Sequence, residues 1–207
     1  MAIQLAREYQ TEIISADSRQ CFREMAIGVA RPSRTELAEI PHHFIASHGI
    51  QEEVTAATFE NFALEKTAKL FQEKDVVVMV GGTGLYIRAF CEGMDLIPAI
   101  DPAIRQRVVS EYEEKGLGWL HSSLQEKDPV FYTSGEIQNP QRSMRALEVV
   151  LSTGKSILSF QTGKKAMRDF NIIKLGLDLP KETLHQQIHQ RVDQMINAGL
   201  EKEVRAL

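Results

Sequence analysis

The chain has 207 residues, a formal net charge of −4 at pH 7 and 43% hydrophobic residues, enough for one full domain or for one domain carrying an insertion. Its acidic balance excludes a protein that coats nucleic acid indiscriminately, so basic residues have to be read segment by segment. Two cysteines, Cys21 and Cys91, exclude a disulfide scaffold and a CxxC zinc site; with no signal-peptide pattern and no apolar run near the roughly 20 residues of a membrane span, a cytoplasmic protein without a membrane partner is expected.

Residues 2–9, AIQLAREY, place Ile3, Leu5, Ala6 and Tyr9 at helical spacing, so the chain opens inside a helix. An α/β sheet ordinarily sets a strand and a phosphate-facing loop before such a helix, and the closing pattern from Pro180 to Leu207 runs out without Gly, Asn or Pro. Both ends therefore read as those of a fragment. The stretch TEIISADSRQ, Thr11 to Gln20, predicts a buried strand over 12–16 that stops at Asp17. Ligands of open α/β sheets sit beyond the carboxyl ends of the strands, so Asp17 is either the carboxylate of a site or the cap of the next turn. Gly28 to Pro32 is a turn, and Ser33 with Glu36 makes a capping box. His42 and His43, adjacent on an extended segment, point to opposite faces with no third ligand at metal spacing. Phe59, Phe62, Ala63, Lys66 and Leu70 mark an amphipathic helix from Thr58 to Phe71.

A β-branched run from Val76 to Val80 predicts a strand covered on both faces, and it empties into Gly81-Gly82-Thr83-Gly84. Such a loop is either an anion cradle facing a diphosphate or a tight strand-to-helix turn; it matches neither GxGxxG nor a Walker loop. Between residues 98 and 171 the pattern is helical: Asp101-Pro102 opens a helix to Lys115 that stops at Gly116, followed by Trp119–Lys127 and Pro140–Thr153. Arg105, Arg107, Arg142, Arg145, Lys155, Lys164, Lys165 and Arg168 fall in this region, as a phosphate-facing surface or as ordinary solvated helix charge. Gly154-Lys155-Ser156 imitates the tail of a Walker motif but reads as a helix C-cap, and His185 with His189 reads as a solvated pair. Ile172 to Leu179 is expected as the return strand to the sheet, and Leu184, Ile188, Val192, Met195 and Ile196 as the core stripe of the closing helix. The expected architecture is an α/β parallel-sheet core over 1–97 and 172–207, interrupted by an all-helical insertion over 98–171.

Taken together, IISADSRQ at 13–20, IGVARP at 27–32, PHHFI at 41–45, VGGTGLYIRA at 80–89, DPAIRQR at 101–107, NPQRSMRALEV at 139–149 and AGLEKEVRAL at 198–207 resemble the tRNA dimethylallyltransferases, in collinear order. The resemblance implies a P-loop-kinase-like, nucleotide-binding core with a helical insertion that grips the anticodon stem-loop of tRNA. It implies transfer of a dimethylallyl group from dimethylallyl diphosphate to the N6 amine of the adenosine 3′ of the anticodon, with Mg²⁺ as cofactor, by a monomer. On this likeness Asp17 is the base that takes the amine proton, Ser18, Arg19 and Gln20 contact the extruded nucleotide, and Thr83, Arg105, Gln141, Arg142, Ser143, Met144 and Arg145 meet tRNA. Gly81, Gly82, Thr83 and Gly84 face the diphosphate, and Arg205 offsets charge on the leaving group. The family's GPTxxGKT loop, which holds diphosphate and metal, would lie before Met1; without it the 207 residues alone are expected to hold no metal ligand and to bind dimethylallyl diphosphate poorly. Phe22, Val29 and Arg31 stand where Tyr, Thr and Lys are usual, as tolerable variations. An adenylate isopentenyltransferase and a catalytically dead tRNA-binding module are the alternative functions.

Overall fold

The computed structural model describes residues 1–207, which form two compact units: Met1–Met94 with Ala166–Leu207, and Asp95–Lys165. These boundaries differ by a few residues from 97/98 and 171/172, and hydrogen bonds explain the shift. Asp95 Oδ1 accepts from the amide and hydroxyl of Thr162 at 2.9 and 2.8 Å, which closes the helical unit on itself. The Ala166 amide donates to the Glu92 carbonyl, and Arg168 to the carbonyls of Ala89 and Phe90, which returns 166–170 to the first unit.

In the first unit the elements run α1 (Ala2–Glu8), β1 (Ile13–Ser15), α2 (Arg34–Glu39), β2 (His42–His43), α3 (Ala56–Leu70), β3 (Val78–Val80) and α4 (Gly84–Glu92). The three strands are parallel in the order β2-β1-β3, with Ile13 opposite both His42 and Val78, and Ser15 opposite Val80. All of β1 is buried, as a central strand covered on both faces must be. Successive side chains leave a strand on opposite faces: Ile14 joins Phe44, Phe59, Tyr86 and Phe90, whereas Ile13 joins Ala6, Ile40 and Val78. Phe59 stacks on Tyr86 with ring centroids 4.5 Å apart, and Phe44 meets Phe59 edge-on at 5.1 Å. Both Ser33 with Glu36 and Thr55 with Thr58 close capping boxes, so α3 starts two residues ahead of the expected Thr58.

The C-terminal part departs from expectation. Ile172–Leu179 is not a strand of the sheet; it pairs with no strand, and Ile173, Leu175 and Leu177 are 85%, 72% and 72% exposed. Alternation supplies the faces of a strand, but a strand forms only against a neighbour's N–H and C=O groups, and this segment has none within the sheet. Helices α8 (Lys181–Asn197) and α9 (Leu200–Ala206) follow, neither with a buried residue. The stripe Leu184, Ile188, Val192 and Ile196 is exposed and Met195 half-buried, so the expected core stripe is an uncovered face.

The second unit consists of α5 (Pro102–Lys127), α6 (Pro129–Ser134), α7 (Pro140–Thr153) and a 3-10 turn at Ile157–Phe160. The two helices expected over 102–115 and 119–127 are the arms of α5, which bends at Gly116, where φ is 72° and ψ is −168°; that left-handed backbone suits glycine. Val108, Leu120, Leu124, Phe131, Leu147 and Val149 form its core. No helix of the chain is long and apolar enough to cross a membrane.

Candidate active site

Asp17 follows the end of β1. Its Oδ1 accepts from the amides of Arg19 and Gln20 at 2.8 and 3.2 Å, which caps the turn. Its Oδ2 receives no hydrogen bond from the protein, on a half-buried residue that lines a cavity of about 370 Å³. The capping and site readings of Asp17 therefore use different oxygens and do not compete. Gln20 lines the same cavity, with Nε2 donating to the carbonyls of Val29 and Ala30 at 3.2 Å each and Oε1 accepting from Ser15 Oγ at 3.3 Å. Those bonds fix the amide's orientation from both ends.

The glycine loop closes against the Asp17 turn. The Ala16 amide donates to the Val80 carbonyl at 2.7 Å and the Thr83 amide to the Ala16 carbonyl at 3.1 Å. A Cβ on Gly81 would lie 2.2 Å from the Ala16 oxygen, so only glycine fits this approach. Thr83 Oγ1 accepts from the Ser18 amide at 2.9 Å and lies 3.2 Å from Ser18 Oγ. That hydroxyl is thereby diverted from capping α4, where no side-chain cap bond is made. A Cβ on Gly82 or Gly84 would meet nothing within 4 Å. With the Thr83 amide directed to Ala16, the loop works first as a brace for the Asp17 turn.

Sequence reasoning passed over several residues of the cavity wall: Arg31, Glu36, His42 and Ile45. His42 Nδ1 donates to the Ile40 carbonyl at 2.7 Å. The Ser33 hydroxyl and amide hold the Glu36 carboxyl below its ordinary value. The legible signal was Arg31, a long cation set among the small residues of a Gly-to-Pro turn; its Nη2 donates to the carbonyls of Phe22 and Arg23 at 2.6 and 3.2 Å and also to that of Met25. Cys21, beneath the turn, is fully buried; burial first, then the charge of Asp17, push its thiol up, away from the thiolate form.

Other expected site residues lie elsewhere. Arg19 is exposed beside Asp17. Arg105 is exposed on α5, and Gln141 and Arg142 are exposed at the start of α7. Arg142 pairs with Glu136, and Arg145 Nη1 with Glu148 Oε2 at 3.2 Å. Ser143 and Met144 are 0% and 6% exposed, on the face of α7 that packs into the core, with Ser143 Oγ donating to the Ile137 carbonyl. Arg168 departs from the expected basic surface. Its guanidinium is bonded to Glu60 at 2.7 Å and to carbonyls at the end of α4, so it is an interior cap rather than part of a basic surface. Arg205 pairs with Glu201 on its own helix and does not line the cavity.

The family model for IPP transferase matches residues 20–207. A tRNA dimethylallyltransferase of Cytophaga hutchinsonii is 43% identical over 205 residues, covering 99% of this chain and 67% of that protein. One from Christiangramia forsetii is 45% identical over 207 residues, covering all of this chain and 68% of its own length. The chain belongs to the IPP transferase family. It spans about two thirds of the length of these relatives, which are tRNA dimethylallyltransferases, members of a prenyltransferase enzyme family. Among solved structures, the tRNA isopentenylpyrophosphate transferase of Bacillus halodurans matches with a TM-score of 0.64 at 30% identity, covering all of this chain and 64% of that one. A eukaryotic dimethylallyltransferase acting on tRNA, 24% identical with a TM-score of 0.80 over 99% of this chain and 51% of that one, shares the fold. The parallel sheet with its helices is thus the α/β, P-loop-kinase-like core of the IPP transferases.

Proposed function

We propose that this chain carries the tRNA-facing side of a dimethylallyl transfer to the N6 amine of the adenosine 3′ of the anticodon. The observation that carries the reading is Asp17: a carboxylate with one oxygen spent on its own turn and the other without a protein donor, on the wall of a cavity within the size range of small-ligand pockets. An adenine amine is a weak nucleophile. As its nitrogen bonds to the first carbon of the dimethylallyl group, the carbon–oxygen bond to diphosphate breaks and the amine proton passes to Asp17 Oδ2. The adenine must leave its stack to reach such a cavity, with Gln20, Ser18 and Arg19 meeting the extruded nucleotide and its neighbours. Gly81 to Gly84 face the diphosphate, and Arg205, freed from Glu201, meets its charge.

Arg105, Gln141, Arg142 and Arg145 supply contacts to the anticodon stem-loop, where phosphate binding makes affinity fall with salt. Ser143 and Met144 act there only by holding α7 in place. Mg²⁺ is the cofactor the family implies and would balance the diphosphate charge. The chain's own side chains assemble no group of three or more His, Cys, Asp and Glu that could hold a metal ion. The enzyme acts as a cytoplasmic monomer.

Incubation with tRNA and labelled dimethylallyl diphosphate tests the reading. Label in tRNA supports it, label only in AMP points to an adenylate isopentenyltransferase, and tRNA retention without label points to a binding module. In a chain that transfers, Asp17→Asn lowers the rate by about 100-fold or more while tRNA retention is kept; near-normal turnover removes Asp17 from the mechanism.

A further inference from the structure

Helix α9 is joined to the loop that leads into the wall of the Asp17 cavity by a carboxylate that the transfer step does not use. Glu203 Oε2 accepts from the amides of Ala26 and Ile27 at 2.8 Å each, and its Oε1 from the amide of Gly28 at 2.9 Å. Three successive backbone N–H groups converging on one point form an anion nest, and here a side chain about 175 residues away in sequence fills it. Leu200, one helical turn earlier, comes so close to Gly28 that a Cβ there would sit 3.0 Å from its Cδ1. The contact is therefore a docked helix end rather than a stray ion pair.

The same loop is drawn the other way on its inner side. The carbonyls of Phe22, Arg23 and Met25 turn toward the Arg31 guanidinium, while the Ala30 and Arg31 amides close the turn on the carbonyls of Ile27 and Ala26. N–H groups thus face Glu203 and carbonyls face Arg31, an arrangement that fixes the peptide planes between 22 and 31. The next two carbonyls, of Val29 and Ala30, are the ones that hold Gln20 Nε2. Ala30, Arg31, Gln20 and Asp17 all line the cavity.

We infer that Glu203 is a positioning residue: by clamping the amides of residues 26–28 it holds the 29–31 wall and Gln20 in register with Asp17, so that an extruded adenine is seated. This rests on the proposed tRNA reading. Glu203 touches no substrate in it, and RNA affinity, carried by other contacts, does not depend on the clamp.

The test uses the 207-residue chain and an anticodon stem-loop RNA that keeps the adenosine 3′ of the anticodon, with its N6 amine, and carries 2-aminopurine in place of the base beside it, a base that brightens when its stacked neighbour is extruded. Amide exchange of residues 26–28 is followed in parallel. Glu203→Ala is expected to speed that exchange at least tenfold and to cut the fluorescence gain at saturating RNA at least threefold, with the dissociation constant changed less than threefold. Glu203→Gln, which keeps one acceptor oxygen, recovers part of both signals. Unchanged exchange overturns the clamp, and faster exchange with full fluorescence gain overturns its positioning role. A wild-type chain that binds RNA with no gain overturns the tRNA reading of the cavity and the inference with it, and is told apart because the clamp's exchange signal survives.

Discussion

Helices α7 and α8 carry the same kind of apolar stripe and meet opposite fates. α7 buries Met144, Ala146, Leu147 and Val149 against α5, whereas Leu184, Ile188 and Val192 of α8 remain between 43% and 47% exposed. A stripe at helical spacing states which face needs cover; it does not state what covers it. In the same way Ile13 and Ile14 become a central strand because β2 and β3 flank them, while Ile172–Leu179, equally apolar, stays unpaired for want of a neighbour.

The contrast can be broken most directly by truncation at matched positions. Leu147→Ala, at a site 1% exposed, is expected to cost about 3 kcal/mol in urea unfolding, from lost burial and the cavity left behind. Ile188→Ala on the open stripe should stay within about 0.5 kcal/mol. Equal losses would mean that the α8 face is covered in solution.

Gly81→Ala sharpens the other half of the comparison, the stitched region around β1. Its new methyl would meet the Ala16 backbone rather than a movable side chain, so a loss of about 2 kcal/mol in the same unfolding measurement is expected. A neutral result would mean that the glycine loop does not lie against the Asp17 turn.

The smallest effect concerns the join between tight and open parts. Burial pushes the Glu203 carboxyl up, but the amides of Gly28, Ile27 and Ala26, with the charge of Arg31, outweigh it and hold the group below 4.5. Glu12, between His43 and Lys66, is likewise held low against its burial. A carboxyl depressed in the folded state stabilises fully above its unfolded value and loses that contribution as pH falls through the folded one. Stability therefore declines below about pH 4.5, and Glu203→Gln should flatten part of that acid limb. An unchanged limb, followed by thermal unfolding from pH 6 to 3, would count against the nest contact.

Much of this was legible in the residues. The Ser33 capping box, the Gly116 break, the helix end at Gly154 and the carboxylate beyond the first strand all follow from local chemistry, in which the side chain and the backbone it serves lie within a few positions of each other. The family motifs add the likeness to the IPP transferases, which extends across the chain.

What the sequence could not decide depended on partners far along the chain. Arg168 was indistinguishable from its basic neighbours until Glu60 and the end of α4 enclosed it. Which face of α7 turns inward, burying Ser143 and Met144, depended on the helix it packs against. Glu203 was one acidic residue among many until the 26–28 amides closed on it. Composition and periodicity set the local conformation of each segment, because propensity and capping act within a turn or two. Which polar group meets which was settled only by packing, where desolvation makes every buried donor and acceptor find a partner regardless of sequence distance.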